Sequence, residues 1–370
     1  MLLFGSTKVY AEQPNTINDA IEQMDTNDLQ KYMNNNSSYF KDKNINIKTL
    51  IENAFKGRLD IDLKDYLIFQ LNEERDFFGE ILKTCIHVLV ICMLLTIINY
   101  FSDELGKQSV SDIVILFSVM IVFTIILKDV LNIKNIMQQD FIKYKIVTEE
   151  INGLFLAAML TFGKLSLLQF FQTSLNYTIG ITTKLIYNFA DIMTFLMIAL
   201  ILINNTSKLF NAKLFYDFSK KGTLLILSGY ITIVVIIFSL QGYILYKTDN
   251  IFISSIKALS PSAIPVVGKA VTSFFGVFLK SVLMIKDVLG IIVILFILSA
   301  FGGSLIKILI VLMMYKLTSI LIEPFNEKIS KFIYEMADIF YIYLICMITP
   351  IIIVTVYYSI LLNYMNNIFG

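Results

Sequence analysis

From Ile81 to the C-terminus the chain is a succession of apolar runs, several long enough to cross a bilayer, and this constrains its fold more than any other feature. Hydrocarbon offers backbone groups no hydrogen-bond partner, so such runs must form helices or closed barrels. Runs near twenty residues select helices. A hydrophobic content of 56% and a mean hydropathy of +0.73 point the same way. The expectation is an all-α, polytopic helical membrane protein of about seven to nine spans, some of them re-entrant, with a small helical head before them. Candidate spans are Ile81 to Phe101, Ile113 to Leu131, Ile151 to Phe171, Ser174 to Phe189, Ile192 to Asn204, Leu224 to Tyr246, Val288 to Phe301, Leu305 to Ile322 and Ile339 to Leu362. The first, second, sixth and last have full bilayer length; the others are shorter or interrupted and are candidate half-spans.

Residues 12–80 carry fourteen Asp and Glu against eight Lys and Arg, whereas residues 81–370 carry fifteen against twenty-one. An acidic head is a poor match for nucleic acid, whose phosphates call for clustered cations. The basic residues of the membrane part flank spans, where they set topology. Lys208, Lys213, Lys220 and Lys221 form the densest short basic loop and place it in the cytosol, which puts the head (12–80) on the extracytoplasmic side. The expected loop Lys128 to Glu150 carries four lysines and pulls the other way. Residues 1–11 end in Val9-Tyr-Ala11, the tail of a short signal peptide or simply a loose N-terminus. Within the head, Leu50, Ile51, Ala54 and Phe55 form a helical stripe, and the Asn-Ser stretch from Asn34 to Ser38 breaks a weaker one.

Signals for catalysis are missing. His87 has no second histidine, so zinc sites built on His pairs cannot form. The Gly-Lys pairs at 106, 163 and 268 have neither a glycine five positions earlier nor a following Ser or Thr, so there is no P-loop. Cys85, Cys92 and Cys346 all lie in apolar runs and read as packing residues. No cofactor or metal site is expected, and the chain does not read as an enzyme.

The interrupted runs carry more information. Phe162-Gly-Lys-Leu-Ser166 breaks the third run, and Ser260-Pro-Ser-Ala-Ile-Pro-Val-Val-Gly-Lys269 precedes another apolar stretch. Non-helical backbone at membrane depth is tolerated where it lines a wet cavity, so these breaks mark either a pathway or two interfacial turns. Gly180-x3-Lys184-x6-Asp191 and Gly276-x3-Lys280-x6-Asp287 recur at an offset of 96, each followed by an apolar run. Were the two a genuine duplication, their charged residues would face the bundle interior; otherwise they would snorkel to the interface. Candidate pathway or packing residues are therefore Gly163, Lys184, Asp191, Gln241, Pro265, Gly268, Lys280 and Asp287.

In order along the chain stand Gly57-Arg-Leu-Asp-Ile-Asp-Leu-Lys-Asp65, Lys107-Gln-Ser-Val-Ser111, Phe238-Ser-Leu-Gln-Gly242, Ile264-Pro-Val-Val-Gly268, Leu279-Lys280 and Tyr315-Lys-Leu-Thr-Ser-Ile-Leu-Ile-Glu-Pro324. With these segments, covering most of the chain after about residue 50, the sequence resembles the stage III sporulation protein AE family. It departs from the family at Tyr243-Ile-Leu-Tyr-Lys-Thr-Asp-Asn250, where the family carries smaller residues and Thr-Asp-Gly. The resemblance implies a membrane subunit of a secretion-like channel complex joining mother cell and forespore, needed for late forespore gene expression. It also implies partners: a cytosolic ATPase and ring-forming proteins, with the chain in the mother-cell-derived membrane around the forespore. A membrane scaffold that conducts nothing, or an independent secondary transporter, are the alternatives.

Overall fold

The computed structural model describes residues 27–55, 63–104, 108–161, 165–206, 211–245 and 288–369. These residues are helical throughout, with short turns between helices and no strand among them. Four short helices form the head: α1 (Asn27–Asn36), α2 (Ser38–Asp42), α3 (Ile47–Phe55) and α4 (Leu63–Glu73). Seven longer ones follow: α5 (Arg75–Glu104), α6 (Gln108–Thr161), α7 (Leu165–Lys184), α8 (Asp191–Thr206), α9 (Lys213–Leu245), α10 (Val288–Ile322) and α11 (Glu327–Phe369). A π-helical turn, Leu185–Ala190, joins α7 to α8.

Six helical stretches are long and apolar enough to cross a membrane: Arg75–Phe101, Ile113–Glu149, Gln172–Thr206, Lys213–Gln241, Val293–Ile322 and Glu327–Leu362. Several expected boundaries dissolve. Ser174 to Phe189 and Ile192 to Asn204 run on as one span through the π turn, and Val288 to Phe301 continues into Leu305 to Ile322 as α10. The expected loop Lys128 to Glu150 is helix as well. Its charges hide an unbroken stripe of Val130, Ile133, Met137, Phe141, Tyr144 and Val147, all buried at three- and four-residue spacing. Helical packing thus overrides the polar composition from which the loop was read.

α11 is the axis of the bundle, with 94% of its most apolar window buried against α6, α8, α9 and α10. A helix apolar on every side can be satisfied only by enclosure, and Ile339 to Leu362 is such a sequence. α10 and α11 form an antiparallel hairpin, its reversal at Glu323-Pro-Phe-Asn326 and its restart capped by Asn326 Oδ1, which accepts from the Ile329 N–H at 3.1 Å. Across this hairpin Ser319 and Ser330 exchange hydroxyl-to-carbonyl bonds at 2.9 Å in both directions. Cys85, Cys92 and Cys346 are buried free thiols, as their apolar settings imply.

The head does not stand apart from the spans. Met33, Tyr39, Phe40, Ile47, Leu50 and Tyr66 join one hydrophobic cluster with the membrane helices, and Phe40 packs on Phe296 of α10 with ring centroids 6.2 Å apart. Locally the head is pinned by Gln30, which accepts from the Ile47 N–H at 2.7 Å and donates to the Ile45 carbonyl at 3.0 Å. Asn44, at φ 48°, supplies the left-handed turn this needs. α4 approaches α10 at Gly302-Gly303, in the gap expected between the candidate spans Val288 to Phe301 and Leu305 to Ile322. Both glycines are helical, and a Cβ on Gly303 would stand 2.9 Å from Glu74 Oε1 and 3.4 Å from Gln70 Oε1. The glycine pair therefore makes room for the head instead of ending the helix.

Glu74 at this junction pairs with Lys307 at 3.5 Å. Burial pushes its carboxyl above the ordinary range, with the lysine pulling only partly back. A raised folded value means the native state holds the proton more tightly than the unfolded chain. The stabilising contribution is thus complete below the ordinary carboxylate range and lost as pH rises through the folded value. Glu74→Gln should therefore melt at a temperature close to the parent below about pH 3.5 and gain on it progressively towards neutral pH. A difference independent of pH would contradict the assignment.

Candidate functional site

Ionisable groups inside a membrane bundle are costly, so the places where they are enclosed are the first to examine for function. At one end of this bundle a belt of them surrounds α11. Its centre is Asp338, which is buried and accepts three hydrogen bonds: from Lys220 Nζ of α9 at 2.5 Å, from the Tyr216 hydroxyl of α9 at 2.6 Å and from Lys316 Nζ of α10 at 2.7 Å. Tyr216 and Lys220 can both reach it because residues four apart share a helix face. Lys316 also donates to the Tyr334 carbonyl at 3.0 Å and lies 3.1 Å from the centroid of that ring.

One turn before Asp338, buried Glu335 accepts from Asn205 Nδ2 at the end of α8, at 2.9 Å, and pairs more loosely with Lys331 at 3.9 Å. On the flank formed by α6, Asp129 accepts from the Tyr315 hydroxyl of α10 at 2.6 Å, and the Tyr315 ring stacks on Phe340 of α11 at 5.5 Å. Lys134, a turn further along α6, pairs with Asp191 of α8 at 2.8 Å and sits 4.4 Å from the Phe195 ring centroid. The belt thus ties α6, α8, α9, α10 and α11 together with charge-assisted bonds, each lysine facing a carboxylate. Chemically it is a lock that fixes helix register. Desolvated opposite charges cancel, and separating them inside the bundle would strand an uncompensated charge.

Of the residues singled out from the sequence, Asp191 belongs to this belt and Lys184 lies on the outer surface. In an unbroken α-helix seven residues make nearly two full turns, so the two would share a face. The π turn between them inserts an extra residue and rotates them apart. Gln241 lies elsewhere, on α9, donating to Ser174 Oγ at 2.8 Å. Gly163, Pro265, Gly268, Lys280 and Asp287 lie outside the described residues.

Sequence reading passed over Asp338, Lys220, Lys316, Glu335, Asp129 and Lys134. Lys316 carried a usable signal, a cation inside the run Leu305 to Ile322. Asp338 and Lys220 carried none, since each falls at the margin of an apolar run and reads as a loop charge. Among the described residues no group of three or more His, Cys, Asp or Glu is placed to hold a metal ion.

A family model described as stage III sporulation protein AE matches residues 45–364, a range that takes in the whole belt and all six spans. Comparison with curated proteins and with solved structures returns no match.

Proposed function

Because the chain belongs to the stage III sporulation protein AE family, we propose that it is a membrane subunit of a sporulation-specific secretion or channel complex between mother cell and forespore. In this reading it sits in the mother-cell-derived membrane around the forespore and is required for late forespore gene expression. It is not an enzyme: a cytosolic ATPase supplies the energy and ring-forming proteins complete the conduit. The segments around Gly163, Pro265 and Gly268, with Lys280 and Asp287, are the proposed route.

The observation that carries a multi-subunit reading is the height of the exposed apolar surface. Contacts between Phe123 and Phe332 and between Thr148 and Tyr358 set the register of α6 on α11; Lys220 with Asp338 and Phe238 with Tyr357 set that of α9. On this common scale, exposed Ile113 at one end and exposed Leu240 at the other are separated by about 55 Å at 1.5 Å per residue. A bilayer's hydrocarbon core is about 30 Å thick, and even a tilt of about 40° leaves the band too tall. Lipid alone cannot cover it, which supports burial of part of it against other protein. The least enclosed of the six spans is that of α5, and towards its C-terminal end and the start of the α6 span Leu94, Ile97, Phe101, Ile113, Phe117 and Ile121 are exposed. A solitary transporter has no use for such a surface.

Deleting the gene in its host should give engulfed forespores that collapse with a silent late reporter; normal spores would remove the proposed role. A photo-crosslinking residue at Ile97 or Phe117 should capture another polypeptide in sporulating cells, and adducts to lipid alone would overturn the subunit reading. The second reading, a scaffold that conducts nothing, draws on the mutual pairing of every lysine in the belt. A water-soluble thiol reagent separates the two: single cysteines at positions 262 to 272 react in the assembled complex if a route runs there and stay protected in a scaffold.

A further inference from the structure

Far from the charged belt, towards the opposite end of the bundle, a second polar region is built only from neutral groups. It lies between α6, α7, α9 and α11. The Tyr358 hydroxyl of α11 donates to Asn152 Oδ1 of α6 at 2.9 Å and lies 3.2 Å from the Thr148 carbonyl. At nearly the same height, Gln241 of α9 meets Ser174 of α7. Deeper in the bundle the Tyr230 hydroxyl contacts Thr182 Oγ1 at 2.6 Å and the Thr178 carbonyl at 3.0 Å. Tyr144 of α6 stands two turns before Asn152 and is fully buried.

Three buried polar atoms in this seam have no hydrogen-bond partner: Asn152 Nδ2, Gln241 Oε1 and the Tyr144 hydroxyl. Reversing the amides does not repair this. Turned over, Asn152 would donate to Tyr358 and leave its oxygen unpaired; Gln241 would accept from Ser174 and leave its nitrogen unpaired. An orphan buried in a dry interior keeps its full desolvation penalty, which buried water ordinarily removes by making several bonds at once. The three orphaned groups are themselves neutral, and the nearest buried charge on this face of α6, Asp140 one turn before Tyr144, already pairs with Lys143 at 3.1 Å, so an ion would lose its hydration without finding a free counter-charge. The chemistry matches a neutral hydrogen-bonding occupant that both donates and accepts.

We propose that the seam between Tyr144, Asn152 and Gln241 is a hydrated site, holding ordered water inside the membrane bundle. Ordered water accepts from Asn152 Nδ2, donates to Gln241 Oε1 and, two turns away along α6, satisfies the Tyr144 hydroxyl, giving the α6–α7–α9–α11 quadrant a wet interior. The inference rests on these buried groups alone and is independent of the sporulation complex.

Hydroxyl-radical footprinting by X-ray radiolysis of the purified full-length protein in nanodiscs tests it, because radicals form from water next to the side chain. Tyr144 should be modified several-fold faster than Tyr315, which is equally buried but bonded to Asp129 and stays protected. Asn152→Leu together with Gln241→Leu should lower Tyr144 labelling several-fold. Tyr144→Phe gives a second reading that does not depend on that variant folding. If the hydroxyl is hydrated, removing it leaves the melting temperature unchanged or lowers it; if it is dry and orphaned, removing it raises the melting temperature. Protection of Tyr144 equal to that of Tyr315, or a stabilising Tyr144→Phe, would overturn the site.

Discussion

Asp338→Ala destabilises the bundle by about 3–5 kcal/mol, the range observed when one partner of a buried ion pair is deleted. The substitution removes one carboxylate but strands two lysines, Lys220 and Lys316, and the Tyr216 hydroxyl, all of which converge on it. The cost comes from those charges and not from a lost contact. The combined variant Asp338→Leu, Lys220→Met and Lys316→Met, which removes the charges together, should recover most of the stability. Asp338→Asn should fall between, since an amide still accepts hydrogen bonds but does not neutralise the lysines. Thermal unfolding of the purified protein in detergent reads all three. A combined variant no better than Asp338→Ala would show that the belt is not an electrostatic lock. Lys145 and Glu149, an exposed pair on α6, provide the contrast: breaking them should change stability by less than about 1 kcal/mol.

The second large effect concerns the head. Phe40→Ala removes a fully buried ring that packs on Tyr39 and on Phe296 of α10, and truncations of this kind cost about 3–5 kcal/mol. The loss falls on head docking, because the α10–α11 hairpin keeps its own contacts without α1 to α4. Trypsin should therefore cut rapidly after Lys41, Lys43 or Lys48 in Phe40→Ala while the membrane part stays intact. Phe296→Ala should produce the same cleavage from the other side of the contact. If neither variant is cut faster at those lysines than the parent, the head is held by something other than this aromatic contact.

Much of the helical content was legible because the signal is local. Apolar runs of bilayer length, the stripe from Leu50 to Phe55 and the break near Asn34 to Ser38 each follow from residue types at short spacing. α3 and the end of α1 fall where that pattern places them. The divisions between helices were less legible. Gly302-Gly303 and the polar residues from Lys128 to Glu150 look like interruptions in one dimension. They remain helical because each is enclosed by a neighbour distant in sequence: the glycines by Tyr66, Gln70 and Glu74 of the head, and the α6 stripe by the rest of the bundle. Lys184 and Asp191 look like one helix face until the π turn separates them.

What the sequence determined by itself is the solvent and the class of structure: a helical membrane protein, recognisable as a member of its family, since hydrophobic run length and residue order suffice for both. What only the tertiary structure decided is which charges are neighbours. Asp338 meets Lys220 across 118 residues and Asp129 meets Tyr315 across 186. Such pairs leave no periodic trace, because the free energy of a buried ion pair depends on how helices far apart in the chain stand beside one another, not on the spacing within any one of them.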